Sequence, residues 1–189
     1  MTPRFEIPEI ETERLRLRLP AISDLDTYAE FRASDRAIFV GGPFDRAASY
    51  RALTELVGQW HLRGYGRWMI TDRLTGEPLG VTGIYHPEDW PERELAWSLF
   101  ASGEGRGIAY EAALAARRFA YETYGWTRLI SCVAPENTRS VALAQRLGAE
   151  FEGTHDVPDL GLLHVWRHPG PDDTTTHSDA HSSNLTRPT

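Results

Sequence analysis

Glu104-Gly105-Arg106-Gly107-Ile108-Ala109-Tyr110-Glu111-Ala112 is the stretch on which the reading of this chain turns. Gly105 and Gly107 carry no Cβ to hold an anion away from the backbone, and an alanine-rich run that favours helix starts directly after them. The first N–H groups of such a helix have no partner inside it and point outward at the positive end of the helix dipole. The stretch therefore reads as a turn that cradles a diphosphate. A glycine pair alone more often serves only as a turn. What decides the reading is the spacing to two later motifs, Asn137-Thr138-Arg139-Ser140 and Arg146-Leu147-Gly148-Ala149.

Working outward, the motif helix is predicted over about residues 107–123, with Ile108, Ala112, Ala115 and Phe119 on one stripe. A strand over 128–133 and a short helix over 137–147, closed by Gly148, follow it. Phe151 and residues 160–166 finish the sheet. Toward the N-terminus, Leu15, Leu17 and Leu19 alternate with Arg14, Arg16 and Arg18 in the period of a half-buried strand that Pro20 closes. Ser23, with Asp24 and Asp26, reads as a cap ahead of Leu25, Tyr28 and Phe31. A loop at Gly41-Gly42-Pro43 precedes a helix that starts at Asp45, repeats Leu53, Leu56, Val57 and Trp60, and stops at Gly64. Residues 67–71 and 78–85 form two strands around the turn Leu74-Thr75-Gly76-Glu77, and 93–100 supplies another.

This order lacks a strict strand–helix–strand repeat, which predicts an α/β (α+β) fold: one mixed, mostly antiparallel sheet of six to seven strands with helices on both faces. Residues 1–168 suit a single domain. From Pro169 the composition turns to Pro, Gly, Thr, Ser and Asp, so 169–189 is predicted to be a disordered tail, with His168, His177 and His181 solvated rather than ligating a metal.

The formal net charge of −7 is spread among interspersed acids and bases, which argues against a nucleic-acid surface. No long apolar run suggests a membrane span, and Met1–Glu6 lacks the apolar core of a signal peptide, so the expectation is a soluble, unexported, cytoplasmic protein. Cys132 is the only cysteine, which excludes an internal disulfide and a cysteine-based metal cluster. It lies in the apolar run Leu129-Ile130-Ser131-Cys132-Val133, where a small buried hydrophobe is the ordinary reading and a nucleophilic thiol the alternative.

In order, spacing and flanking pattern, residues 94–153 resemble the acetyl-CoA-binding half of the GNAT superfamily of N-acetyltransferases. Thr12-Glu13-Arg14-Leu15-Arg16-Leu17-Arg18, Gly64-Tyr65-Gly66-Arg67-Trp68, Asn137-x-x-Ser140 and Arg146-Leu147-Gly148 resemble its Rim-type branch, whose named members acetylate N-termini of ribosomal proteins. The resemblance implies transfer of acetyl from acetyl-CoA, without a metal, to a primary amine such as a protein N-terminus or a small molecule. Direct attack in a ternary complex is the implied route. It leaves monomer and homodimer both open.

Such a transfer needs a neutral amine, a stabilised oxyanion and a proton for the departing thiolate. The family often opens the strand before the diphosphate turn with an acid; Glu94 holds that place and is the expected base, with His155, Asp156 and His164 as alternatives. A tyrosine commonly follows the motif asparagine by seven positions, but here that position is Ala144. Ser140, matching the serine of Rim-type members, is expected to hydrogen-bond the leaving thiolate. Asn137 is expected to bind the pantetheine arm and to cap its helix. Backbone groups of Ser98, Leu99 and Phe100 are expected to pair with that arm as an added strand would. Gly105, Arg106, Gly107, Ile108 and Ala109 are expected to hold the diphosphate through main-chain N–H groups.

Glu104 departs from the family's Arg or Gln, and is expected to turn its carboxylate to solvent, away from the diphosphate. Arg106 and Arg139 are available to offset it. Trp60, Trp68 and Trp97 sit where large aromatics are usually core, with an acceptor pocket as the functional alternative. A non-catalytic acyl-CoA-binding module is the competing function. A dinucleotide-binding unit is excluded, since the turn lacks the third glycine and the acidic residue about twenty positions on.

Overall fold

The computed structural model describes residues 7–158 and 160–173. Eight strands form one sheet: β1 (Ile10–Glu11), β2 (Leu15–Arg18), β3 (Arg67–Asp72), β4 (Pro78–Tyr85), β5 (Glu94–Leu99), β6 (Ile130–Val133), β7 (Glu150–Val157) and β8 (Gly161–Arg167), in the order β1-β2-β3-β4-β5-β6-β8-β7. The strand beyond the expected six to seven is the two-residue β1, too short for a period-two pattern to register. All neighbours are antiparallel except β5 and β6, which run parallel and pair at a single rung, Glu94 with Ile130. Beyond that rung the two strands diverge, and the site opens in the gap.

Among the described residues four α-helices cover the sheet: α1 (Leu25–Ala33), α2 (Arg46–Arg63), α3 (Ile108–Tyr124) and α4 (Thr138–Arg146). Met69 and Ile70 are neighbours on β3 and so point to opposite faces. On the Met69 face, α1 and α2 pack Tyr28, Phe31, Leu53 and Leu56 with Val81 and Phe100. On the Ile70 face, α3 lays Ile108, Ala112, Ala113 and Ala116 against Leu15, Leu17 and Leu95; alanine's short side chain lets the helix lie close.

Asp45, the expected start of α2, is its cap, accepting the Ala48 N–H at 2.6 Å, and Gly64 ends that helix at φ +74°. Asp24, not Ser23, stands at the N-cap of α1, and its side chain makes no bond into that helix but closes the short turn Ile22–Asp24 before it. Its carboxylate accepts the Ala21 N–H at 2.7 Å and both arms of the Arg18 guanidinium at 2.6 and 2.8 Å. A hydroxyl could not neutralise that arginine while taking a backbone donor.

The order of the chain also continues past the expected boundary at 168. Tyr121 donates to Pro169 O at 2.9 Å, and the Gly170 N–H donates to Asp173 at 3.1 Å. His168 is no solvated tail histidine: it is 2 % exposed. Ser131 Oγ gives its proton to Leu95 O at 2.6 Å, so it accepts from His168 Nε2 at 2.9 Å, leaving Nδ1 to face Arg117 Nη1 at 3.3 Å. Arg117 Nη1 also donates to Leu147 O at 2.6 Å. Neutral imidazole satisfies this network; imidazolium would not. His177 and His181 lie outside the described residues.

Burial, reinforced by Arg117 and Arg167, pushes His168 from 6.5 down to about 3. With the folded value depressed, the unfolded chain takes the proton first. The contribution to stability is full above about pH 6.5 and is lost as pH falls toward 3. Urea unfolding across that range is expected to show a decline of a few kcal/mol that His168→Asn reduces; parallel curves for the two proteins would remove His168 from the acid dependence.

Candidate active site

The divergence of β5 from β6 opens a cleft of about 560 Å³. Glu104, Gly105, Gly107–Tyr110, Asn137, Arg139 and Ser140 line one end. Ala96, Trp97, Ser98 and Leu99 line the middle, with Glu94 and Cys132. Tyr28, Arg32, Phe39, Arg67, Tyr85, Trp90 and Leu160 line the rest of its wall.

Gly105 and Gly107 take φ of +71° and +75°, a conformation other residues enter only with strain. The first bond within α3 runs from the Glu111 N–H to Gly107 O at 3.2 Å, so the N–H groups of Ile108, Ala109 and Tyr110 come before it. No side chain caps α3, whereas α2 and α4 are capped by Asp45 and Asn137. The turn thus offers open donors at a helix N-terminus, the chemistry a diphosphate requires.

A feature the sequence reading missed braces this turn. Arg14 Nη1 donates to Arg106 O at 2.9 Å, and Arg14 Nε donates to Glu111 at 2.7 Å. Glu111 also accepts from Thr12 Oγ1 at 2.6 Å and from the Arg14 N–H at 3.1 Å. Burial raises the Glu111 pKa, but these bonds and the Arg14 charge outweigh it and hold the carboxyl below its ordinary range. The signal was the Thr12-Glu13-Arg14 motif, whose partner lies on another element.

Two expectations about this end are corrected. The Arg106 side chain turns away to Ser102 O at 3.1 Å and toward Asp72 at 3.9 Å, so only its main chain belongs to the turn. Glu104 does not turn out to solvent. It lines the cleft, held by Arg36 at 3.2 Å and Arg139 at 3.0 Å, and those two cations neutralise it where it stands.

On β5 the ladder alternation decides which backbone groups are open. The Phe100 N–H is taken by Leu79 O at 2.9 Å, and the register pairs Ser98 with Val81. Ser98 and Phe100 therefore turn their backbone toward β4, which corrects the expectation that they face the gap. Trp97 and Leu99 have the opposite parity and present theirs to the open edge, as Leu95 does in accepting from Ser131.

Glu94 is 7 % exposed, at the one rung that joins β5 to β6. Its Oε2 accepts from Trp90 Nε1 at 2.5 Å and its Oε1 from the Cys132 N–H at 3.0 Å. Burial raises its pKa to about 7, although Cys132, Trp90 and Arg67 each pull it down. It is therefore a carboxylate that exchanges a proton near neutrality. Burial, with Glu94 adding to it, pushes the Cys132 thiol up, opposite to what a nucleophilic thiolate needs.

At the head of α4, Asn137 Oδ1 accepts the Ser140 N–H at 3.2 Å, the helix cap. Trp97 Nε1 donates to Ser140 Oγ at 3.2 Å, which leaves the serine its own proton to donate into the cleft. Ala144 is fully buried with Val133, Ala149 and Trp166.

Trp60 and Trp68 are core, edge to face at 4.7 Å; of the three tryptophans proposed for the pocket, Trp97 reaches the cleft. His155 meets Asp89 O at 3.1 Å and His164 packs on Phe151 at 5.0 Å, and neither lines the cleft. Trp90, which fixes Glu94, lies in the 86–91 loop, where the sequence carries no recognisable code.

The profile described as an acetyltransferase (GNAT) domain matches residues 14–150. An acetyltransferase crystal structure from Agrobacterium tumefaciens str. C58 is similar at 40 % identity and a TM-score of 0.79, covering 89 % of this chain and 98 % of that one. An uncharacterised N-acetyltransferase, p20 of Bacillus licheniformis, is 26 % identical over 75 % of this chain and 82 % of its own length. The ribosomal L7/L12 alpha-N-protein acetyltransferase RimL, in complex with coenzyme A, shares the fold at a TM-score of 0.71 with 17 % identity, covering 88 % of this chain and 100 % of that one. Among the described residues no helix is long and apolar enough to cross a membrane.

Proposed function

The chain belongs to the GNAT acetyltransferase family and is an acyltransferase, and on that premise we propose that it moves the acetyl group of acetyl-CoA to a primary amine by direct attack within a ternary complex. The observation that carries the reading is the position of Glu94, a buried carboxylate near neutral pKa in the cleft that the uncapped turn of α3 also lines.

The turn's main-chain donors hold the diphosphate of the acyl donor, which supplies an acetyl group already activated as a thioester. The Trp97 and Leu99 backbone groups pair with the pantetheine amides along the open edge. Glu94 accepts the proton the amine gives up, about half of it being ionised at pH 7. The amine nitrogen bonds to the acetyl carbon, the carbon–sulfur bond breaks, and the Ser140 hydroxyl donates a hydrogen bond to the departing thiolate, which takes its proton from solvent as Glu94 returns its own to water. Trp97, by donating to Ser140 Oγ, keeps that hydroxyl proton directed at the cleft.

A thiol-release screen with acetyl-CoA against a panel of amines tests the reading, and release that depends on the amine is expected. Tight acetyl-CoA binding with no release for any amine would instead make the chain a non-catalytic acyl-CoA-binding module. Ser140→Ala is expected to lower kcat about ten- to a hundredfold with acetyl-CoA affinity unchanged, because its bond strengthens as charge develops on sulfur. Full turnover by that variant would remove Ser140 from the mechanism.

A further inference from the structure

The cleft wall carries positive charge that acetyl transfer itself does not use. Of the arginines lining the cleft, Arg36 and Arg139 are tied to Glu104, and Arg146 stacks over Tyr110 at 4.2 Å beside the turn. Arg32 and Arg67 remain. Among the described residues neither has an ion pair, and the Nε of each is buried without a hydrogen-bond partner. A buried donor in that condition is costly, and an orphaned Nε in a native protein calls for a partner such as a water, an ion or a ligand.

Both are held by rings instead of carboxylates. The Arg32 guanidinium lies 3.9 Å from the Phe44 ring centroid and 5.6 Å from that of Tyr28, and the Arg67 guanidinium lies 4.4 Å from that of Tyr85. Stacking fixes the plane of each group while leaving its edge N–H donors for a planar anion. Arg67 is in register with Gly83 and, through it, with Ala96, two residue pairs along the sheet from Tyr85 and Glu94. That parity puts Arg67 on the face that carries Glu94, whose carboxyl feels its charge. Arg32 reaches the same cleft from α1. Glu55, which also lines the cleft, sits exposed on α2 and, among the described residues, pairs with neither.

We infer that the acceptor is an amino-carboxylate, a small amine that also bears a carboxylate group such as a free α-amino acid, with its carboxylate on Arg32 and Arg67 and its nitrogen toward Glu94. This rests on the acetyl-transfer reading of the same cleft. A polyamine would bring only positive charge to two arginines that have no ion pair among the described residues, and a peptide N-terminus offers a neutral amide where a free amino acid offers a carboxylate.

The test compares kcat/KM for the common L-amino acids, their amides, short peptides and spermidine by thiol release at about pH 8.5, above the range in which Glu94 titrates. Amino acids are expected to exceed their amides by about a hundredfold, mainly through KM. Arg67→Gln and Arg32→Gln are each expected to collapse that ratio toward one, and Arg67→Lys to restore part of it. Amides, peptides or spermidine turning over as well as the acids would overturn the inference, as would variants that lower both classes alike. If no amine releases thiol, the transfer reading itself has failed. The anion site is then judged by calorimetric titration of N-acetylated amino acids and their amides into the protein with CoA, where equal binding of the two would sink it.

Discussion

Glu94→Gln is expected to lower kcat/KM by about two to four orders of magnitude near neutral pH, with the deficit narrowing toward pH 10 as the amine loses its proton unaided. The wild-type rate should rise with pH through about 7, where Glu94 ionises. The same burial has an opposite signature in stability. Because the folded value is raised from 4.5 to about 7, the native state binds the proton more tightly than the unfolded chain, and stability falls as pH rises between those values. That fall amounts to at most about 3 kcal/mol, and it is expected to disappear in Glu94→Gln, which cannot ionise. Profiles of kcat/KM across pH 6 to 10, with unfolding curves at matching pH, check both. A parallel loss of rate at every pH, tracking a loss of stability, would make Glu94 structural and leave the proton to bulk water.

Gly107→Asp is expected to raise the Kd for acetyl-CoA by about a hundredfold or more. Two effects combine. At φ +75° any side chain strains the backbone by about 1–3 kcal/mol. The new carboxylate would also stand at the N-cap of α3 and take the N–H groups left open there, the role Asp45 fills on α2. A Cβ at Gly107 meets only Arg14 Nη2 at 3.6 Å, an ordinary contact, so the fold accepts it. Gly107→Ala separates the effects, with a loss of about tenfold expected from strain alone. Calorimetric titration showing unchanged affinity for Gly107→Asp would remove the turn from binding.

The parts legible in the sequence are those written in local pattern. Gly105 and Gly107 ahead of an alanine run announce a turn and a close-packed helix, and period-two leucines announce β2. Glu94 was found through its place in a family pattern, but what gives it chemistry, burial and the Trp90 N–H, comes from a loop with no local signature. Ser98 and Phe100 were assigned to the open edge because ladder parity depends on the pairing partner, and the Leu79 bond that settles it lies across a turn. His168 was grouped with the tail because Pro169-Gly170-Pro171 follows it at once, while its partners Ser131 and Arg117 sit on β6 and α3. The role of Arg32 and Arg67 has no local signature, since the Phe44 and Tyr85 rings that hold them lie on other segments.

The brace on the diphosphate turn bears on how the protein is made. Glu111 takes its bonds from Thr12 and Arg14, which precede it by 99 and 97 positions. Contacts of such span form late, because the intervening chain must first be ordered. On the ribosome, Thr12 and Arg14 emerge early and wait for their partner until α3 has been synthesised. The turn therefore reaches its working shape when the β1–β2 turn and α3 meet, so competence to take up a ligand arrives in one late step rather than growing with the nascent chain.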